Sequence, residues 1–240
     1  MAWPWEVVER DHEIQDPVSP EKIRLLGEYL RLTSESRVLD IACGKGGPAL
    51  ILAATYRCRV HGVEIRPAFA EAARARAAAL GLESLIEVQT VDASQLQFEP
   101  EAWDAALCIG ASFVWGTIAD AAAALVPLVR AGGFVAIGEP FWRQWPLPEG
   151  IEKEDFVNLD ATVERFEQAG LAPIGIIAAS EDDWDRYESL HWRASEEWLA
   201  EHPDHPDADD IRTQHKRYGR DYFRFKRALL GWAIFVGRKI

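Results

Sequence analysis

The 240-residue chain has few cysteines, a deficit of basic charge and no long hydrophobic run. Its three cysteines, Cys43, Cys58 and Cys108, are odd in number and lack metal-ligand spacing, so the pattern predicts reduced thiols. No apolar stretch approaches the length of a membrane-spanning helix, and the acidic N-terminal residues do not resemble a signal peptide. We therefore expect a cytoplasmic protein with no membrane span.

Basic residues are outnumbered by acidic residues, with 26 lysines and arginines, 39 aspartates and glutamates, and a net charge of −13. A surface of this charge repels phosphate backbones and anionic lipids, which argues against nucleic acids and membranes as partners. Hydrophobic residues make up 48% of the chain, enough for one full α/β core. The sequence gives no indication of the oligomeric state.

Residues 38–50, V-L-D-I-A-C-G-K-G-G-P-A-L, combine a short apolar run, a glycine-rich segment and a proline followed by helix-forming residues. This pattern predicts a strand, a tight turn and a helix in that order. The free N–H groups and the positive dipole end of such a helix point into the turn, where glycines allow a ligand to approach the backbone. The motif therefore predicts a binding site for a polar ligand.

Two ligands are compatible with this motif. The run G-K-G-G-P-A satisfies a dinucleotide-binding fingerprint, with Glu64 at the distance expected of a ribose-binding acid. Asp40, at the end of the predicted strand, favours a cationic ligand such as S-adenosylmethionine over a pyrophosphate. Lys45 favours a phosphate, so the motif alone leaves both ligands open.

Predicted strands and helices alternate along the rest of the chain, which indicates a parallel, doubly wound sheet. Further strands are predicted at 59–64, 85–91, 103–109, 134–138 and 171–179. Helices are predicted at 20–32, 49–56, 67–80, 118–129 and 159–168, and the segment 1–18 is expected to be irregular.

The connection before the last strand is about fifty residues long, which exceeds a simple crossover. Aromatic and histidine side chains recur at near-helical spacing in 181–201, so we interpret 181–228 as a helical insertion that acts as a lid. A single domain is predicted, with a cap segment at 1–35, a cofactor-binding core at 36–180 and the last strand within 229–240. The H-P-D-H run at 202–205 lacks a third ligand at motif spacing, so no metal site is predicted.

Five motifs in order resemble those of class I S-adenosylmethionine-dependent methyltransferases of the small-molecule type, which have a Rossmann-like fold. They are V-L-D-I-A-C-G-K-G-G, H-G-V-E, V-D-A-S, W-D-A-A-L-C-I-G-A and L-V-R-A-G-G-F-V-A-I-G-E-P-F-W. The resemblance implies a seven-stranded, mostly parallel sheet whose last strand lies at 232–237. It also implies S-adenosyl-L-methionine as the cofactor and a small molecule as the methyl acceptor.

The acids that follow the predicted strands suit this cofactor. The Glu64 carboxylate can accept hydrogen bonds from both ribose hydroxyls, and Asp92 can accept one from the adenine amine. Asp40 is suited to balance the ammonium of the methionine moiety. The residues expected to contact the cofactor, some by resemblance alone, are Asp40, Ala42, Cys43, Gly44, Gly46, Glu64, Ile65, Asp92, Ala93, Ile109 and Gly110.

Aromatic residues follow the fourth and fifth strands, where ligands bind in doubly wound folds. Phe113, Trp115, Phe141 and Trp142 are therefore expected to form a wall that holds a flat or apolar acceptor. The alternative for each ring is packing beneath the following loop.

The expected reaction is in-line displacement at a methyl group that the sulfonium already activates. The protein then has to align a nucleophile and exclude water, and a general base is needed only for some acceptors. Candidate bases are His191, His12 and Glu139. Two other functions stay open, an NAD(P)-dependent oxidoreductase and a non-catalytic protein that binds S-adenosylmethionine.

Overall fold

The computed structural model describes residues 5–151 and 156–240 and is built on a seven-stranded sheet. The strand order is β3-β2-β1-β4-β5-β7-β6, in which the first five strands are parallel and β7 is antiparallel to both of its neighbours. The strands are β1 Arg37–Ile41, β2 Arg59–Glu64, β3 Ile86–Thr90, β4 Trp103–Ile109, β5 Val129–Trp142, β6 Leu171–Ala178 and β7 Leu230–Lys239. The doubly wound, mostly parallel fold predicted from the sequence is confirmed.

Helices cover both faces of the sheet, and each face has its own hydrophobic core. The helices are α1 Trp5–Val8, α2 Pro20–Tyr29, α3 Gly47–Tyr56, α4 Pro67–Ala79, α5 Ile118–Leu125, α6 Leu159–Gln168, α7 Glu181–Glu201, α8 Ala208–Asp221 and α9 Arg227–Leu229. Helices α2, α3 and α4 pack on one face, and α5 and α6 pack on the other. Val38 and Leu39 of β1 are both fully buried but belong to different cores, because successive strand residues point to opposite faces.

Several elements differ in length from the sequence prediction, among them α2, which ends at Tyr29, and β7, which spans Leu230–Lys239. Helix α5 ends at Leu125 and continues as a 3₁₀ turn to Leu128, because Pro127 has no N–H for a helical hydrogen bond. Strand β5 extends to Trp142, well beyond the predicted 134–138, because it pairs with β7 along its whole C-terminal half. The aromatic end of β5 is therefore part of the sheet.

The N-terminal segment is more ordered than the sequence indicated. Within the predicted irregular region 1–18, the described part contains α1, which packs against α7 near the other end of the chain. The guanidinium of Arg186 on α7 donates a hydrogen bond to the carbonyl of Val18 at 2.9 Å. The local sequence does not reveal this partner, since the two segments are far apart along the chain.

The predicted insertion is helical and consists of α7, α8, a π-helical turn at Tyr222–Lys226 and α9. Ser180 and Asp183 form a capping box that begins α7. Asp183 also pairs with Lys22 of α2, which attaches α7 to the main body of the protein. Within the described residues, no helix is both long and apolar enough to cross a membrane.

Candidate active site

The turn between β1 and α3 has a backbone that requires glycine. Gly44 and Gly46 have φ values of +55° and +77°, a region that favours glycine. A Cβ on Gly44 would lie 2.2 Å from Oε1 of Gln15. The Lys45 N–H donates to the same Gln15 oxygen at 2.7 Å, so the N-terminal segment lies directly over the turn.

The carboxyl ends of β3, β2, β1 and β4 lie side by side, which brings most of the predicted cofactor-binding residues to one edge of the sheet. Ala42 and Cys43 follow β1 in the turn, and Ile109 ends β4. Ile65 follows β2 and is exposed. This edge and the β1–α3 turn form the candidate cofactor site.

Asp40 of β1 is buried, with 1% of its surface exposed. Its Oδ2 has no hydrogen-bond partner among the described residues. Burial, and then the nearby charge of Glu64, raise the pKa of Asp40 to about 7. A buried carboxylate with an unused acceptor favours a ligand that brings a positive charge to this point.

Glu64, at the end of β2, fixes the turn through both of its oxygens. Oε2 accepts a hydrogen bond from the Gly44 N–H at 2.9 Å, and Oε1 accepts one from the Arg66 N–H at 2.8 Å. Each carboxylate oxygen can accept a further bond, so the group can still accept hydrogen bonds from a sugar. The carboxylate is 5% exposed and lies beside the turn, as expected for a ribose contact.

Asp92 lies after β3 and begins a short 3₁₀ turn that contains Ala93. Its Oδ1 accepts hydrogen bonds from the Ser94 N–H at 2.9 Å and from the Ser94 hydroxyl at 2.7 Å. This is the capping role that competes with an adenine contact. The other carboxylate oxygen of Asp92 has no partner in these bonds, so both roles are compatible.

Asp16 is a site residue that the sequence reasoning missed. Gly110 has a φ of +69°, and a Cβ on it would lie 1.9 Å from Oδ1 of Asp16. Burial, followed by the charges of Glu9 and Asp40, raises the pKa of Asp16 well above its ordinary value. Asp16 and Asp40 therefore share one electrostatic environment beside Gly110, and no motif in the irregular N-terminal sequence marks Asp16.

Lys45 holds the N-terminal segment in place. Its ammonium donates hydrogen bonds to the backbone carbonyls of Glu9 at 2.6 Å and Arg10 at 3.1 Å. The Lys45 side chain is partly buried, and burial lowers its pKa. This cation is thus directed toward peptide carbonyls, which removes the main argument from the sequence for a bound phosphate.

The three candidate bases occupy two places. His12 and His191 lie together, with ring centroids 4.4 Å apart, on either side of the Glu9 carboxylate. Burial lowers the pKa of His12 to about 4. Glu139 of β5 accepts a 2.6 Å hydrogen bond from the Ser112 hydroxyl, and burial raises its pKa to about 7 against the opposing effect of Ser112.

The four predicted aromatic residues do not form a common wall. Phe113 is 72% exposed and Trp115 is half-buried beside the loop after β4. Phe141 and Trp142 are buried in opposite cores, and Phe141 packs edge-on against Phe235. Both residues belong to the extended strand β5, which places their side chains in the two cores. Their position therefore does not support the expected contact with an acceptor.

The site fits an adenosyl cofactor that carries an ammonium group. Glycines leave the turn itself without side chains at Gly44 and Gly46, one carboxylate stands beside the turn, and a second buried carboxylate has an unused oxygen. The residues that would hold the group are Glu64 for the sugar and Asp40 with Asp16 for the ammonium.

Comparison with known proteins gives consistent matches. The family described as "Methyltransferase domain" matches residues 38–133. A SAM-dependent methyltransferase from Thiobacillus denitrificans, solved in complex with S-adenosyl-L-homocysteine, superposes with a TM-score of 0.92 at 31% identity. The alignment covers 100% of this chain and 99% of that chain.

Two curated relatives are also similar. The uncharacterized protein YjhP of Escherichia coli is 30% identical over 237 residues, which cover 96% of this chain and 95% of YjhP. The 27-O-demethylrifamycin SV methyltransferase of Amycolatopsis mediterranei is 27% identical over 190 residues, which cover 72% of this chain and 65% of that protein.

Proposed function

Since the chain belongs to the family of S-adenosylmethionine-dependent methyltransferases, we propose that it transfers the methyl group to a small-molecule acceptor by in-line displacement. The observation that carries this proposal is the buried Asp40 carboxylate with its unused oxygen at the glycine turn. The net charge of −13 supports a small acceptor over a nucleic acid. The partial similarity to an enzyme named for 27-O-demethylrifamycin SV supports the same class.

We assign the cofactor contacts as follows. Asp40 and Asp16 bind the ammonium of the methionine moiety, Glu64 binds the ribose, and Asp92 with the Ala93 N–H binds the adenine. The remaining contacts come from the β1–α3 turn and the strand ends, at Ala42, Cys43, Gly44, Gly46, Ile65, Ile109 and Gly110. In this assignment, each of the four carboxylates of the site faces a hydrogen-bond donor or the positive ammonium of the cofactor.

The bound cofactor supplies a methyl group activated by the sulfonium. The protein has to hold the acceptor atom in line with the carbon–sulfur bond, at about 3–3.5 Å, and exclude water. We propose that the cap segment 1–35 and the insertion 181–228 do this together. Their support is the contact of α1 with α7 and the position of Gln15 over the turn.

Where the acceptor is a hydroxyl, we propose Glu139 as the general base. It lies in the C-terminal half of β5, level with the end of β4, since Ile109 pairs with Gly138. A carboxylate with a pKa near 7 is matched to proton removal at neutral pH. Phe113 and Trp115 are the aromatic residues left for contact with an acceptor.

The alternatives are not favoured. An NAD(P)-dependent oxidoreductase would have to place a pyrophosphate beside Asp40, and the Lys45 ammonium is already bound to peptide carbonyls. A non-catalytic cofactor binder is disfavoured by membership of an enzyme family. The three buried free cysteines support a reducing compartment, and we propose the cytoplasm.

The overall proposal is tested by calorimetry and a methyl-transfer screen. We expect S-adenosylhomocysteine to bind with a stoichiometry of one and NAD not to bind. Incubation with S-adenosylmethionine and amines, phenols, thiols or carboxylates should release S-adenosylhomocysteine with at least one class. Tight binding of NAD alone would overturn the proposal, and binding without turnover on any small molecule would favour the non-catalytic alternative.

Replacing Glu64 should weaken cofactor binding. Glu64→Ala removes charge-assisted hydrogen bonds to the ribose, so we expect a loss of about 1–3 kcal/mol in the affinity for S-adenosylhomocysteine. Glu64→Gln, which keeps the shape of the side chain, should lose less. The exposed Glu71→Ala is the matched control and should bind like the wild type. Unchanged affinity in a folded Glu64→Ala protein would show that the ribose is held elsewhere.

Affinity for S-adenosylhomocysteine should rise with pH below neutrality. The ionised Asp40 binds an ammonium better than the protonated acid, and its pKa is about 7 in the free protein. Binding should therefore be roughly five- to tenfold tighter at pH 7.5 than at pH 6, with proton release at the lower pH.

The control for this pH effect is a pair of Asp→Asn substitutions. Asp40→Asn should remove the part of the pH dependence that is centred near pH 7, whereas Asp160→Asn, at an exposed position, should keep it. Calorimetry in buffers of different ionisation enthalpy measures both the affinity and the released proton. A pH dependence that persists in Asp40→Asn would assign it to another group.

For a hydroxyl acceptor found in the screen, kcat/KM should rise with pH through about 7, because Glu139 acts in its ionised form. Glu139→Gln should lower kcat/KM by about 10²–10⁴-fold and remove its rise with pH. Ser112→Ala should move the rise of kcat/KM to higher pH, because the Ser112 hydroxyl stabilises the ionised carboxylate of Glu139. An unchanged profile in Glu139→Gln would exclude Glu139 as the base.

A further inference from the structure

Glu9, His12 and His191 form a compact cluster between the N-terminal segment and α7. One ligand atom from each side chain can be chosen so that all three lie within 4.8 Å of one another. The Nε2 atom of His191 is 2.8 Å from Oε1 of Glu9, and Nδ1 of His12 is 3.2 Å from Oε2. Glu9 and His12 are 1% and 2% exposed, and His191 is partly exposed on one side.

The hydrogen bonds leave two buried atoms of this cluster unused. His12 Nε2 is 2.9 Å from the backbone carbonyl of Tyr187, which can only accept, so Nε2 carries a proton. The opposite nitrogen, Nδ1, and Oε2 of Glu9 face each other without the alignment of a hydrogen bond. Neither atom has another partner among the described residues. The lone pair of His12 Nδ1 and the Oε2 atom of Glu9 thus face each other in a buried region. This arrangement destabilises the fold unless a cation lies between the two atoms.

The spacing of the ligand atoms suits a metal ion. With metal–ligand bonds of about 2.0–2.2 Å, neighbouring donors in a tetrahedral or octahedral shell lie about 3 Å apart. Each carboxylate oxygen of Glu9 has one histidine nitrogen at about this distance, and the His191 contact is a hydrogen bond that a bound ion would replace. Two imidazoles with one carboxylate are a ligand set typical of Zn²⁺ and Fe²⁺ sites that keep open positions.

The hydrogen bonds that His12 and Glu9 make to Tyr187 are of the kind found around metal ligands. A metal-bound histidine usually donates its second N–H to a carbonyl or carboxylate, which fixes the ring. His12 does so toward Tyr187. The Tyr187 hydroxyl in turn donates to Oε1 of Glu9 at 3.3 Å, which orients the carboxylate.

We propose that Glu9, His12 and His191 bind a divalent transition-metal ion of the Zn²⁺ type. The sequence analysis named His12 and His191 only as candidate bases and predicted no metal site, because His191 comes from the distant helix α7. The H-P-D-H run at 202–205, which does resemble a metal motif, is not part of it.

The ion has a place in the methyl transfer, and this step rests on the proposed function. The Lys45 ammonium donates a hydrogen bond to the backbone carbonyl of Glu9 at 2.6 Å, so the cluster lies close to the β1–α3 turn of the candidate cofactor site. Three protein ligands leave coordination positions for an acceptor that bears an oxygen, nitrogen or sulfur atom. The ion would hold that atom and favour its deprotonated form.

The test is a titration of the full-length, tag-free protein with Co²⁺ after removal of metals by a chelator. Co²⁺ reports its ligand geometry by visible absorption. We expect one equivalent to bind, with absorption bands of a four- or five-coordinate site, and Zn²⁺ to displace it and raise the melting temperature. Absence of a stoichiometric site in the wild-type protein would overturn the proposal without any variant.

Substitutions identify the ligands. His191→Ala and Glu9→Gln should each weaken Co²⁺ binding by at least about 100-fold, since loss of an outer contact alone costs about 10–100-fold. His205→Ala, on the exposed turn after α7, is the matched histidine control and should bind Co²⁺ like the wild type. Loss of the site in His205→Ala, or its retention in both of the other variants, would contradict the assignment.

Calorimetry with S-adenosylhomocysteine on the same metal-free samples separates this proposal from the proposed function. Binding of S-adenosylhomocysteine without binding of Co²⁺ would refute the metal site and leave the methyltransferase assignment standing. Binding of Co²⁺ without S-adenosylhomocysteine would support the metal site and refute the cofactor assignment of the residues.

Discussion

The hydrogen bond between Glu64 and the Gly44 N–H determines where the site can form. It joins the end of β2 to the turn after β1, and the second oxygen of the same carboxylate binds the Arg66 N–H at the start of α4. The turn has a backbone that only glycine adopts readily. Gln15 and Arg76 also bind its backbone, at the Lys45 N–H and the Lys45 carbonyl. One side chain thus fixes the β1–α3 turn and also presents a hydrogen-bond acceptor to a ligand.

The buried acids around this turn explain why a cationic ligand suits the protein. Asp16 and Asp40 are buried carboxyl groups whose pKa values are raised by burial and by neighbouring negative charge. Burial and this repulsion therefore disfavour the ionised form of each carboxyl group until a positive group arrives. A ligand with an ammonium relieves this repulsion, whereas a pyrophosphate would increase it.

The sequence predicted those parts of the structure that depend on local patterns. Alternating strands and helices, the glycine turn and the acid at the end of β2 each leave a periodic or compositional signal, and the fold followed from them. The near-helical spacing of aromatic and histidine residues likewise located α7 correctly.

Features that depend on distant partners were not predictable in this way. The extension of β5 comes from pairing with β7, which also buries Phe141 and Trp142. Asp16 lies in a segment without periodicity, and its role depends on contact with Gly110. Glu9 acquires its histidine partners only when α7 packs on the N-terminal segment.

The contact of this N-terminal segment with α7 has a consequence for how the protein is made. The residues that pack over the glycine turn are synthesised before the sheet, but their partners on α7 are synthesised only after six of its seven strands. The parallel part of the sheet can assemble as the chain emerges. The N-terminal segment cannot complete its packing until α7 has been synthesised, so a nascent chain that stops before α7 would leave the glycine turn without these contacts.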